Sequence, residues 1–160
     1  MKDRTVSRFR QRRGRRLAQR LKRLAGDLGR PLSILDLGGR RDYWDNVDFN
    51  EVGRITLVNF DPAELDRGDR AADLFEDVVG DARALTEIGD GAYDFYHSNS
   101  VMEHVGLWSD MEAMAREAVR VAPHGWLQTP AQPGSSPSSR ISAVSLRRRP
   151  SSRTVRRDRT

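Results

Sequence analysis

An acid followed by two glycines at the end of an apolar run, Ile34-Leu35-Asp36-Leu37-Gly38-Gly39, is the arrangement in this sequence with the clearest chemical use. At the carboxyl end of a parallel strand, glycines let the backbone turn sharply and let a ligand approach the main chain with no Cβ in the way. Two glycines after a strand also serve as a plain turn, so the motif alone leaves both readings open. Polar residues close three later apolar runs in the same manner. Asn59 and Asp61 follow ITLV, Gly80-Asp81-Ala82 follow DVV, and Ser98-Asn99-Ser100 follow YDFYH. In an open α/β sheet such ends converge on one crevice, where a nucleoside can be held by its hydroxyls and its base. The histidines, His97, His104 and His124, show no metal-ligand spacing. With no cysteine, thiolate sites and cysteine nucleophiles are excluded.

Holding these residues at one edge takes parallel strands with crossover helices. The runs SILDLGG, RITLVNF, DVVGDAR, YDFYHSNS and GWLQTP are short, apolar and separated by helix-length segments, which predicts strands covered on both faces. The clearest helix is Trp108–Val121, with Ser109–Asp110 as its N-cap and Met111, Met114, Ala115, Ala118 and Val119 on the core side. From Val6 to Ala25, Leu17, Leu21 and Leu24 form a narrow stripe among arginines, a basic amphipathic helix stopped by Gly26 and Gly29–Pro31. Three readings are open for it: a helix leading into the domain with its leucines on the core, a ligand for nucleic acid or lipid head groups, or an organellar targeting helix. After Pro130 the chain becomes Ser, Arg and Pro with few aliphatic residues, a composition expected to stay disordered. The expected organisation is therefore a basic helix over 1–30, an α/β domain over 31–130 and a tail over 131–160.

Charge follows the same division. Residues 1–30 carry 12 basic and 2 acidic groups, residues 31–133 carry 8 and 20, and residues 134–160 carry 8 and 1, within a net charge of +5. The acidic middle is a poor polyanion surface, so any nucleic-acid role rests on the ends. No run of 18 or more apolar residues occurs, which excludes an ordinary membrane-spanning helix, and cytoplasm is the default location.

The successive segments LDLGGRRDYW, ITLVNFDP, VVGDARAL and YDFYHSNSVMEHVGLWSDMEAMAREAVRVAPHGWLQTP resemble class I S-adenosylmethionine-dependent methyltransferases, a Rossmann-like three-layer α/β fold. They are most similar to a bacterial, type 11-like subgroup with a Gly-Gly first motif and an aromatic-Trp pair. The resemblance implies S-adenosyl-L-methionine as cofactor and methyl transfer to an unidentified acceptor, a small molecule being the expected partner, with a sugar, a lipid quinone, a small metabolite and a protein side chain all left open. Asp36, Gly38 and Gly39 would line its methionine end, and Asn59 and Asp61 would lie near the ribose. Asp81 would accept from the adenine amino group beside Ala82, while Ser98 and Asn99 would face the sulfonium and the acceptor. His104, in MEHV, is the candidate base, against a structural role. Arg40 stands where the family has a glycine and Asn59 where it has an acid. Arg40 is therefore read either as a partner for the cofactor carboxylate or as a solvated side chain.

The resemblance also implies a mainly parallel sheet of seven strands, of which the sequence supplies five. The abrupt change near Ala131–Gln132 is expected to mark a truncation or frameshift, checked by reading the coding DNA in its other frames. That expectation leaves cofactor binding as the retained property and methyl transfer in doubt, with β-edge exposure near Trp126 and Leu127. Two other function classes compete: a non-catalytic nucleic-acid or anionic-surface binder using the basic ends, and a nicotinamide-dinucleotide enzyme, the latter weakened by the lack of a full G-x-G-x-x-G.

Overall fold

The computed structural model describes residues 8–45, 47–48, 50–65 and 72–129; the expectations for residues 131–160, including the break near Ala131, lie outside them. Five strands, β1 (Leu32–Leu37), β2 (Val52–Asn59), β3 (Phe75–Val79), β4 (Phe95–Asn99) and β5 (His124–Gln128), form one sheet in the order β3-β2-β1-β4-β5. Every pairing is parallel. All carboxyl ends therefore lie along one edge, and the order reverses at β1, between β2 and β4. The helices are α1 (Arg8–Leu28), α2 (Arg41–Trp44), α3 (Pro62–Leu65) and α4 (Trp108–Val121), with 3-10 turns at Ala72–Leu74 and Met102–His104.

Alternation along β1 divides the core in two. Leu32 and Ile34 pack with Leu17, Leu21 and Ala25 of α1 and with Trp44, Ile55 and Phe95. Leu35 and Leu37 pack on the opposite face with Met114, Ala118 and Val121 of α4 and with Tyr96. Helices on both faces of a parallel sheet make the expected three layers.

The leucine stripe of α1 is thus core, with Leu17 and Leu21 fully buried. Leu21→Ala is expected to cost about 3 kcal/mol in urea unfolding, the usual scale for a buried leucine; a change near zero would mean that α1 is not packed on the sheet. Gly26, expected to stop this helix, lies inside it on the exposed face. A solvent-facing glycine weakens a helix by about 1 kcal/mol without breaking it. Termination falls instead at Gly29, with φ +67°, where Arg30 N–H closes back on the Ala25 carbonyl.

At α4 the expected cap is displaced. Helix geometry begins at Trp108, and Asp110 sits in the first turn, its carboxylate accepting from the Leu107 backbone N–H at 2.8 Å. Met114 and Ala118 are buried as expected, whereas Met111, Ala115 and Val119 are only partly covered.

Asp94 ties the connection between α1 and β1 to the sheet. Its carboxylate accepts from both terminal nitrogens of Arg30 and from the N–H and hydroxyl of Ser33, all within 2.9 Å. Burial pushes this carboxyl up, but the Arg30 and Ser33 hydrogen bonds outweigh it and hold it below the usual carboxylate range. A depressed folded value means that its stabilisation is present above the unfolded value, about pH 4, and is lost as pH falls through the folded value. Asp94→Asn is therefore expected to cost about 1–2 kcal/mol at neutral pH. It should also flatten the acid limb of a stability-against-pH curve, and an unchanged limb would exclude Asp94 as its source.

Candidate functional site

A cleft of about 610 Å³ opens at the carboxyl ends of β1, β2 and β4. Asp36, Gly38, Gly39, Asn59, His97 and Asn99 line it from the sheet side, Arg10, Arg13 and Gly14 from α1, and Arg40 and Tyr43 from the loop and helix after β1.

Two glycines shape its floor. Gly38 holds φ +68°, and a Cβ there would stand 2.5 Å from a Val101 methyl. At Gly39 a Cβ would stand 2.2 Å from the Asp36 carboxyl carbon. Neither position accepts a side chain without displacing its neighbour, so the chain at the cleft floor is kept bare.

Below the glycines lies a sealed polar network. Asp36 and His97 are both 1% exposed and are paired neighbours on β1 and β4. One Asp36 oxygen meets His97 Nδ1 at 2.7 Å, and the other accepts from the Trp44 indole N–H at 2.8 Å. Tyr43 lies over the imidazole, with ring centroids 4.6 Å apart. Burial, and then the Asp36 charge, push the Tyr43 hydroxyl far above its ordinary value, which keeps it protonated, while Arg13 pulls the other way. His97 Nε2 is buried with no hydrogen-bond partner.

The predicted site residues fall into two groups. Asp36, Gly38, Gly39, Asn59 and Asn99 line the cleft together. Asn59 donates from its side-chain amide to the Gly39 carbonyl at 3.4 Å and accepts from the Asp61 N–H at 3.2 Å. A carboxylate could not make that donation, which gives the asparagine a structural use.

Asp61, Asp81, Ala82, Ser98 and His104 do not line the cleft. Asp61 is exposed and accepts from the Ala63 N–H at the start of α3. Asp81 is gripped by Arg83, whose guanidinium hydrogen bonds hold its carboxyl below the usual range. Ala82 packs against the α4-side core. Ser98 points to the opposite face of β4, its hydroxyl donating to the Leu37 carbonyl at 3.1 Å. His104 is exposed on its 3-10 turn, outside the lining of the cleft. Arg40 lines the cleft and stays partly exposed, with its fork held by Asp42 at 2.6 Å and Glu64 at 3.2 Å, tying α2 to α3.

Sequence reasoning missed His97, Tyr43 and Arg13. By sequence spacing His97 invites only a metal-ligand reading, which that spacing does not support. The signal that could have found it is strand parity, because Phe95, His97 and Asn99 share one face of β4 while Tyr96 and Ser98 share the other.

An all-parallel α/β sheet with a cleft at its switch point and a glycine floor defines a nucleotide-binding class of fold. Within that class the chain belongs to the methyltransferase domain family, whose sequence profile matches residues 9–152. The match begins inside α1 and runs past the change of composition at Pro130. Among curated proteins none matches. Solved structures share the fold. The bifunctional kinase-methyltransferase WbdD superposes with a TM-score of 0.62 at 18% identity, covering 75% of this chain and 29% of that one. A protein described as a methyltransferase of an antibiotic biosynthesis pathway in Anabaena variabilis gives 0.56 at 19%, covering 71% and 44%. The Burkholderia thailandensis 1,6-didemethyltoxoflavin-N1-methyltransferase, solved with S-adenosylhomocysteine, gives 0.51 at 21%, covering 76% and 57%. The chain thus spans less than two thirds of the length of each.

Proposed function

We propose that this chain binds S-adenosyl-L-methionine in the cleft and directs methyl transfer to a small-molecule acceptor. The observation that carries the reading is the bare glycine floor at Gly38 and Gly39, at the switch point of a methyltransferase-family sheet. The residues present fit such a cofactor: the floor admits close approach, Asn59 stands at the end of β2, and the cleft volume lies in the range of small-ligand sites. The cofactor supplies a methyl group already activated on a sulfonium. What this chain supplies is position and exclusion of water, and no residue need act as a fixed catalyst. Asp61, Asp81, Ala82 and Ser98 belong to this reading through the family resemblance alone.

Calorimetric titration of the purified chain with S-adenosylmethionine and S-adenosylhomocysteine tests it. Micromolar binding is expected, and a folded chain that binds neither overturns it. Cytoplasmic residence is part of the same reading: no helix among the described residues is long and apolar enough to cross a membrane, and cell fractionation should recover the tagged chain away from membranes.

A second reading is favoured by the outer face of α1, where Arg12, Arg15, Arg16, Lys22 and Arg23 are exposed. With Leu17 and Leu21 committed to the core, this helix has no apolar face to insert into lipid, so nucleic acid is the better anionic partner. Binding to single-stranded RNA that falls steeply with salt and is lost on charge reversal at Arg15 and Arg16 would support it.

A further inference from the structure

A second crevice, of about 440 Å³, lies along α1 and shares no lining residue with the first. Arg15, Ala18, Gln19 and Lys22 line it from the helix, and Asp48, Asn50 and Glu51 from the segment that leads into β2. The spacing i, i+3, i+4, i+7 puts the four helical residues on one stripe, and the small Ala18 among longer neighbours leaves depth. The walls carry opposite charge, Arg15 and Lys22 facing Asp48 and Glu51, but none of these four groups is in an ion pair with another described residue. Asp48 accepts only the Asn50 backbone N–H, at 3.3 Å, among the described residues. Donors on one wall and acceptors on the other are thus presented to a ligand. Arg12, Arg16 and Arg23 are exposed on the same helix, and residues 12 to 23 span about 16 Å, long enough to meet several phosphates of an extended strand. The acidic wall repels phosphate, so an anionic strand stays on the helix side and the acidic wall is left for neutral N–H donors.

We propose that this crevice takes one base of a single-stranded nucleic acid and selects a base with an exocyclic amine. The amine donates to Asp48 or Glu51, the Gln19 amide donates to a ring nitrogen or carbonyl of the base, and Arg15 and Lys22 hold the flanking phosphates. A base with a carbonyl in place of the amine sets oxygen lone pairs against the carboxylates and leaves both unsatisfied. The volume lies in the range of small-ligand sites. The inference rests on the reading of α1 as a nucleic-acid-binding helix, and it adds a base site to what is otherwise a row of phosphate contacts.

Fluorescence anisotropy of the full chain with labelled oligocytidylate and oligouridylate of equal length tests it, because cytosine carries an amine where uracil carries a carbonyl. The wild-type chain is expected to prefer oligocytidylate by at least about fivefold at low salt. Asp48→Asn combined with Glu51→Gln should bring the two oligomers within about twofold, mainly by strengthening oligouridylate, since an amide can donate to a carbonyl. Arg15→Gln and Lys22→Gln should weaken both oligomers alike and flatten the fall of affinity with salt, as phosphate contacts do. Unchanged urea midpoints show that the variants fold. Equal affinity of the wild-type chain for the two oligomers overturns the base site and leaves α1 as a phosphate-binding surface, and a preference that survives the Asp48 and Glu51 substitutions overturns it as well. Failure of the wild-type chain to bind either oligomer at low salt overturns the nucleic-acid reading itself.

Discussion

Asp36→Ala is expected to destabilise the chain by about 3–5 kcal/mol, because it strips the acceptor from two buried donors at once. Against a typical domain stability of about 5–15 kcal/mol, that is enough to shift the urea midpoint far or to leave a substantial unfolded fraction at 37 °C. Asp36→Asn separates charge from packing. Its side-chain oxygen can still accept from Trp44, and its amide can donate to His97 Nδ1 if the imidazole takes the other tautomer. The cost should then fall to about 1–2 kcal/mol. A folded Asp36→Asn chain with a urea midpoint well above that of Asp36→Ala is the expected result. Equal instability of the two variants would mean that the charge of Asp36, rather than its geometry, holds the network together.

This network also shows where sequence reading stops. Strand alternation, apolar run length and polar strand ends are local patterns, and they located the parallel sheet, both of its covered faces and the cleft residues Asp36, Gly38, Gly39, Asn59 and Asn99. Facing is a finer property, set by the parity of each strand and the course of the loop after it. Ser98 and Asn99 are adjacent in sequence yet sit on opposite faces, so only Asn99 reaches the cleft. Asp81 ends the correct strand, but Arg83, two residues later, folds back and takes its carboxylate, a competition invisible in motif spacing. His97 carries no motif at all. Its meaning depends on Asp36, 61 residues away, and on the short α2 that brings Tyr43 and Trp44 over both. The same holds for Gly26, read as a helix stop when its exposed position allows the helix to continue.

Gly39→Ala should have the largest effect on ligand binding, and its cause differs from that of the neighbouring glycine. A Cβ at residue 39 would lie 2.2 Å from both the carboxyl carbon and one oxygen of Asp36, and 2.7 Å from Asp36 Cβ. The carboxylate cannot swing aside, because its oxygens are committed to His97 and Trp44 inside the core. The backbone at 39 must therefore rise into the cleft, at an expected cost of about 1–3 kcal/mol in stability and at least about thirtyfold in S-adenosylhomocysteine affinity. At residue 38 the obstacle is a Val101 methyl at 2.5 Å together with a φ of +68°. Val101→Ala should relieve the first part of Gly38→Ala and leave about 1 kcal/mol of left-handed backbone strain. The same substitution should give no relief to Gly39→Ala, since Asp36 and not Val101 stands in the way. Rescue of Gly39→Ala by Val101→Ala, measured as recovered stability and affinity, would show that the two glycines answer to one steric wall, whereas its absence would establish that Gly39 is bare so that Asp36 can lie directly beneath the cleft floor.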